Sequence, residues 1–121
     1  MLFDVGRTTL AGRPALTVRG ELDLATAPLL ATAVEEQLDA RPSALVIDLT
    51  PTTFMDSSGA RQLARTARAA DAADVELHVV CPKSSTAARL TIDLLDLAAI
   101  VPIVETAGEL PGGIAERNAR P

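Results

Sequence analysis

The run of residues 44–49 constrains the fold most, because every position in it except Asp48 is apolar. A strand with one solvated face alternates apolar and polar residues. An unbroken apolar run is instead typical of a strand that is covered on both faces in a largely parallel sheet. Parallel neighbours need crossover connections, which are usually helices. The run therefore predicts an α/β fold.

The neighbouring segments fit this expectation when they are read for hydrophobic spacing and turn residues. Gly12 supplies turn geometry between the first two strands, and Thr26 and Pro28 suit the start of the first helix. The predicted elements are strands at 2–10 and 14–21, a helix from about 28 to 38, the strand at 44–49, a loop at 50–54, a helix from 59 to about 70, a strand at 75–80, a helix from about 86 to 95 and a short strand at 100–104.

This order of elements predicts a single α/β domain over residues 1–121. Its sheet should be mixed but mostly parallel, with four or five strands, an N-terminal antiparallel hairpin and about four helices. Pro102 lacks the amide that a central strand must donate, so the last strand should lie at an edge. We expect a core of about 2–104 and a weakly structured tail at 105–121.

Composition disfavours several classes of function. The net charge of −5 argues against general nucleic-acid binding, and two Phe without Trp or Tyr argue against base stacking. No apolar run approaches the roughly 20 residues that span a bilayer. The lone Cys81 cannot form an internal disulfide and is interpreted as a packing residue. Since no signal-peptide pattern opens the chain, we expect a cytoplasmic protein.

The sequence lacks the residue patterns that are typical of enzymatic sites. A nucleophilic Ser57 or Ser58 would need a base, and the single histidine, His78, lies in the middle of a predicted strand as a partly exposed residue. The GxSxG pattern is missing, one His and one Cys give no metal-ligand pairs, and neither glycine-rich phosphate loop occurs. The sequence thus predicts no enzyme, no cofactor and no metal site.

Asp48 raises a different reading, the phosphorylated aspartate of a receiver domain with Lys83 as its companion cation. Such a site also needs an acidic pair after the first strand to hold Mg²⁺, and that strand offers only Asp4. The simpler interpretation is that Asp48 ends its strand by accepting hydrogen bonds from loop N–H groups.

The stretch Phe54-Met55-Asp56-Ser57-Ser58-Gly59 joins the loop to the next helix. The N–H groups of a helix start lack helical partners, and they favour anions, including a phosphate on a nearby hydroxyl. Asp56, Ser57 or Ser58 could each cap this helix, whereas one cap is enough, at about 1 kcal/mol. From the residues alone, capping and a functional role both stay open.

The same stretch, preceded by Val46-Ile47-Asp48-Leu49, resembles the signature of the bacterial anti-sigma factor antagonists in the STAS domain family. The segment Gly20-Glu21-Leu22-Asp23-Leu24-Ala25-Thr26-Ala27 is similar to a second motif of that family. Together with the order of elements, the resemblance covers about residues 2–104.

The resemblance implies a switch. Unphosphorylated, such proteins bind an anti-sigma factor, often an ATP-dependent serine kinase, and so free a sigma factor for transcription. Phosphorylation of the serine after the motif's aspartate, here Ser57, ends binding, and a phosphoserine phosphatase restores it. Asp56, Ser58 and Gly59 match the same motif, and Asp23 matches the acidic position of the second motif, on the implied partner-binding surface.

The chain departs from the family pattern after Gly59, where a large aliphatic and then a small residue are usual and Ala60 and Arg61 stand instead. Arg61 follows Ser57 by four residues, so its guanidinium could reach a phosphate there. The simpler interpretation is that Arg61, Arg65 and Arg68 form a solvated helix face. A function of another class also stays open, namely a STAS-like subunit of a multi-protein transport or signalling assembly without serine phosphorylation.

Overall fold

The computed structural model describes residues 2–111. Within that range the chain forms six strands, three α-helices and two 3-10 turns. The elements are β1 (Asp4–Leu10), β2 (Arg13–Leu22), α1 (Ala27–Asp39), β3 (Ala44–Asp48), β4 (Thr52–Met55), α2 (Ser57–Ala72), β5 (Glu76–Val80), α3 (Thr86–Leu94) and β6 (Ile103–Val104), with turns at Leu97–Ala99 and Ala107–Glu109. The predicted α/β architecture is confirmed, with one strand more than the upper number expected.

The sheet is mixed, and β2 is its most connected strand. Its order is β1-β2-β3-β5-β6, and β4 pairs with β2 outside this path. Only the β1–β2 pairing is antiparallel among the described strands. Ala11 and Gly12 form the hairpin turn with φ values of 51° and 77°, the positive angles that a two-residue hairpin turn requires. The predicted N-terminal hairpin is therefore confirmed.

Both faces of β3 are buried, as its apolar run predicts. Leu45 and Ile47 face the helices and pack in the main core, which includes Leu30 of α1, Leu63 of α2 and Ile92 of α3. Val46 points to the opposite face, where it packs in a smaller cluster with three other buried side chains. These are Ala15, Val80 and Leu110. Leu110 belongs to the predicted tail, whose residues 112–121 lie outside the described range.

The predicted loop at 50–54 is wrong over most of its length, because Thr52–Met55 forms β4. This strand runs parallel to the end of β2, with Leu22 opposite Met55. The Thr52 hydroxyl also donates to the Val18 carbonyl at 2.7 Å. Thr50 and Pro51 indicate a loop locally, whereas the partner that makes a strand of the following residues lies far back in the chain.

The last strand lies at the sheet edge, as predicted from Pro102, but it is shorter than 100–104. The Pro102 carbonyl accepts from the Val79 amide at 2.8 Å, and β6 begins only at Ile103. Because proline has no N–H to donate, the pairing cannot extend further toward the start of β5.

Candidate functional site

The ends of β2 and β4 lie side by side and bring the two sequence motifs together. The Asp56 amide donates to the Leu22 carbonyl at 3.3 Å, directly after the paired residues Leu22 and Met55. Asp23 follows β2 and Asp56 follows β4, so both carboxylates lie at the same edge of the sheet. The structure thus places Asp23 close to the residues that begin α2.

Asp56 is the residue that caps α2. Its backbone is extended, with φ −100° and ψ −172°, and its Oδ1 accepts from the Gly59 amide at 3.0 Å. Asp56 therefore caps the helix, and neither serine is needed for that role. Ser57 is exposed at the first helical position and Ser58 is half-buried. Within residues 2–111 neither serine hydroxyl is found in a hydrogen bond.

Gly59 allows the first turn of α2 to approach the end of β2 closely. A Cβ atom at this position would lie 2.5 Å from the Leu22 carbonyl oxygen and 2.8 Å from Met55 Cγ. Cβ atoms essentially never lie this close to other heavy atoms, so any side chain would push α2 away from β2 and β4. The glycine therefore fixes the position of Ser57 relative to the Asp23 loop.

The loop after β2 is held by its own side chains. Asp23 Oδ1 accepts from the amides of Ala25 and Thr26 at 3.0 and 3.1 Å. Thr26 Oγ1 accepts from the Asp23 amide at 2.9 Å and donates to the Glu21 carbonyl at 2.7 Å. Thr26 occupies the N-cap position of α1, as predicted, but its hydroxyl serves the loop and makes no cap bond. Asp23 thus shapes the loop, while its predicted contact with a partner stays a prediction.

Arg61 lies four residues after Ser57 on α2 and is exposed. No ion pair joins its guanidinium to another residue of the described range, and the same holds for Arg65. Another side of α2 packs against the core, where Ala60 and Leu63 are buried. Arg61 therefore lies on the solvent side of α2, where its guanidinium is available to pair with a negative charge near the N-terminus of the helix.

Two features of the site were not predicted. Thr91 on α3 donates its hydroxyl to the Met55 carbonyl at 2.5 Å, which ties α3 to β4 just before Asp56. Nothing distinguishes Thr91 from other polar residues of an amphipathic helix, so sequence reasoning had no signal for it. Leu24 and Phe54 are also exposed, at 75% and 43%, on the elements that flank the site. An apolar Leu24 within a polar loop was a visible signal.

The residues of the other readings do not assemble into a site. Asp48 Oδ1 accepts from the amide and hydroxyl of Thr50 at 3.0 and 2.6 Å, which confirms its role as a strand end. Lys83, the cation of the receiver reading, lies 4.0 Å from Glu105 instead. Across residues 2–111 there is no group of three His, Cys, Asp or Glu side chains that could hold a metal ion.

His78 is half-buried on β5, opposite Val46. Its neighbours Leu77 and Val79 pack in the core beneath the helices, so His78 alternates to the other face of the sheet, away from Ser57. Burial lowers the pKa of His78 and Arg13 lowers it further, while Glu76 opposes both effects. A proton transfer between His78 and either serine is excluded by this placement.

None of the described helices has the length and apolar character needed to cross a bilayer.

Comparison with known proteins gives one family match and several relatives. The model of the STAS domain matches residues 8–110 of this chain. The anti-sigma-F factor antagonist RsfB of Mycobacterium tuberculosis is 44% identical over 55 residues, which make up 46% of this chain and 45% of RsfB. The match thus spans about half the length of that curated relative.

Solved structures show the same fold over most of the chain. An anti-sigma factor antagonist from Mycobacterium paratuberculosis has a TM-score of 0.73 and 29% identity, with 87% of both chains covered. The anti-sigma factor antagonist SpoIIAA in its unphosphorylated form has a TM-score of 0.65 and 16% identity, and the alignment covers 98% of this chain and 100% of SpoIIAA. The second likeness is one of fold alone. Since the family model extends from β1 to the last described turn, the chain belongs to the STAS domain family.

Proposed function

We propose that this protein is an anti-sigma factor antagonist that is switched off by phosphorylation of Ser57. One observation carries the proposal: Asp56 caps α2, so the exposed Ser57 is left with a hydroxyl that has no structural task. The names of RsfB and of the Mycobacterium paratuberculosis protein support the antagonist function. The partner is an anti-sigma factor of the ATP-dependent serine kinase type, and a phosphoserine phosphatase reverses the modification.

The surface around Ser57 suits a protein partner. Leu24 in the Asp23 loop and Phe54 at the end of β4 have exposed apolar side chains in the two segments that flank the start of α2. Apolar contacts of this kind contribute to association in proportion to the area that they remove from water. The unphosphorylated surface therefore combines apolar groups with neutral hydroxyls, which cost less to desolvate than a charged phosphate does.

A phosphate on Ser57 changes this surface without disturbing the fold. It adds a charge of about −1.5 to −2 at pH 7, and a helix N-terminus stabilises negative charge. Beside Asp56 the added charge raises the cost of desolvation and repels acidic groups of a docked partner. The inhibition is thus local and electrostatic, and the protein acts as a cytoplasmic regulator without enzymatic activity of its own.

The decisive experiment is incubation of the protein with ATP and an anti-sigma factor of the serine kinase type from the same organism, followed by mass spectrometry. We expect one phosphate on Ser57, which Ser57→Ala abolishes and Ser58→Ala retains. Ser57→Asp should weaken binding of the kinase, while Ser43→Asp serves as the matched control, since Ser43 is exposed just before β3, at the other end of the parallel strands. If no phosphate is found and Ser57→Asp binds normally, the protein is instead a STAS-like subunit of an assembly that does not use this serine.

A further inference from the structure

A groove lies beside the second half of α2, away from Ser57 at its start. Its cavity volume is about 500 Å³, within the range of about 300–1,000 Å³ that is usual for small-molecule sites. Ala64 and Ala67 form the helix wall, Val75 and Leu77 form the floor, and Ile100 and Pro102 form the opposite wall. The interior of the groove is therefore apolar.

Pro102 accounts for the opening of the groove. The β5–β6 ladder includes bonds from the Val79 amide to Pro102 and from the Cys81 amide to Val104, at 2.8 and 2.9 Å. In this register the next bond would join the amide of residue 102 to the Leu77 carbonyl, but proline has no amide. The chain leaves the sheet edge here, and Ile100 stays 63% exposed. The Leu77 carbonyl thus lacks a ladder partner at the edge of the groove.

Two opposite charges stand on the rim of the groove. Arg68 and Asp71 both line it, are both exposed, and lie three residues apart on the same side of α2. Side chains at this spacing start about 5–6 Å apart. Neither forms an ion pair with another residue in the described part of the chain. The rim therefore offers a cation and an anion, both available, above an apolar interior.

We propose that this groove binds a small zwitterion of dipeptide size with apolar side chains. The ligand carboxylate pairs with Arg68, and its ammonium group pairs with Asp71 and also donates to the Leu77 carbonyl. We choose a dipeptide because the two rim side chains start about 5–6 Å apart, and the termini of a dipeptide are further apart than the charged groups of a single amino acid. Binding here involves neither Ser57 nor the Asp23 loop, so this site is independent of the proposed switch.

The test is a titration of the full chain with L-leucyl-L-leucine, observed by methyl NMR. We expect saturable shifts of the Val75, Leu77 and Ile100 methyl signals. The N-acetylated and the C-amidated dipeptides should each bind about 3- to 5-fold more weakly, as expected for loss of one exposed ion pair. Arg68→Gln and Asp71→Asn should weaken binding by a similar factor. Arg65→Gln is the matched control, since Arg65 is exposed on the same helix but does not line the groove.

Ala67→Leu fills the groove and should abolish the shifts, while an otherwise unchanged spectrum shows that the variant is folded. The proposal is overturned if the dipeptide causes no saturable shifts, if the two blocked dipeptides bind as tightly as the unblocked one, or if Arg65→Gln weakens binding as much as Arg68→Gln. Binding of decanoate in preference to the dipeptide would also overturn it, because the groove would then select an anion rather than a zwitterion. None of these outcomes affects the test of Ser57 phosphorylation.

Discussion

Consecutive residues at the start of α2 have different tasks. Asp56 supplies the cap, Ser57 presents a free hydroxyl, and Gly59 lets the helix approach β2. The sequence points to this group but does not distinguish among three possible caps, because Asp and Ser have similar preferences for the N-cap position. The backbone conformation decides between them, since only Asp56 is extended while the residues after it are already helical.

Gly59→Ala should destabilise the protein by about 1–3 kcal/mol, the usual cost of inserting atoms into a filled space. The reason is the 2.5 Å separation between a Cβ at this position and the Leu22 carbonyl oxygen. Chemical denaturation measures the effect. Gly6→Ala is the control, because its Cβ would meet nothing closer than 3.7 Å. Equal stability of the two variants would show that α2 can shift without cost.

Cys81 should react slowly with thiol reagents in the folded protein. The side chain is fully buried, and this burial raises the pKa of the thiol, to which Asp48 and Asp93 add while Arg89 opposes. Thiolate is the reactive form, so a disulfide reagent should modify Cys81 at a useful rate only in denaturant. Ser84→Cys combined with Cys81→Ala provides an exposed reference thiol. Similar rates for the two thiols in native protein would contradict the burial of Cys81.

At the scale of elements, the site exists because two strand ends meet. The order of strands and helices was predictable, since a few consecutive apolar residues, as at 44–49, are enough to indicate a buried strand. The pairing of β4 with β2 was not, because it depends on residues that are distant in sequence. The same limitation applies to Thr91, whose bond to Met55 joins two elements that only the folded chain brings together.

Along α2, Arg61 should interact with a phosphate on Ser57, since the two residues are one turn apart. A nearby guanidinium favours the dianionic phosphate, so Arg61→Ala should raise the second pKa of phosphoserine, ordinarily about 6. A ³¹P NMR titration of the phosphorylated protein measures this pKa. Arg65→Ala is the matched control, as an exposed arginine further along the helix.

Partner binding gives a second readout for the same pair. Arg61→Ala should alter binding by the phosphorylated form more than binding by the free form. Equal effects in the two forms, or the same ³¹P titration for both arginine variants, would assign Arg61 to the solvated face of α2 instead.

At the scale of the whole molecule, the fold class follows from strand burial and the family from two short motifs at the expected separation. The predicted strand number was too low because β4 is short and joins the sheet outside its main path. The second face of the sheet was also not predicted in detail. Its cluster around Val46 includes Leu110 from the tail, which has no local pattern of a strand or a long helix.

Stability should fall as the pH drops below about 6.5, owing to His78. This is the single histidine of the chain, and its pKa in the folded state is lowered mainly by burial. His78 therefore binds a proton more tightly in the unfolded chain than in the folded chain. Because of this difference, protonation of His78 favours unfolding. The contribution of neutral His78 to the free energy of unfolding is complete above pH 6.5. It is lost progressively as the pH falls toward the pKa of His78 in the folded state.

Denaturation midpoints at pH 7.5 to 5.5, in steps of about half a unit, check this dependence. His78→Gln removes the titrating group and should give a flatter profile over that range. Glu76 and Arg13, the charged groups that act on His78, remain in the variant. An unchanged slope in His78→Gln would assign the pH dependence to carboxylates.

The three pairings of β2 also have a kinetic consequence. Its ladders with β3 and β4 close the chain between distant segments, and such closures are expected to limit the folding rate. The buried Val18 of β2 should thus belong to the folding nucleus, so Val18→Ala should mainly slow refolding. Val104→Ala in the edge strand β6 should mainly accelerate unfolding. The strand that positions the candidate switch would then also be the one around which the molecule assembles.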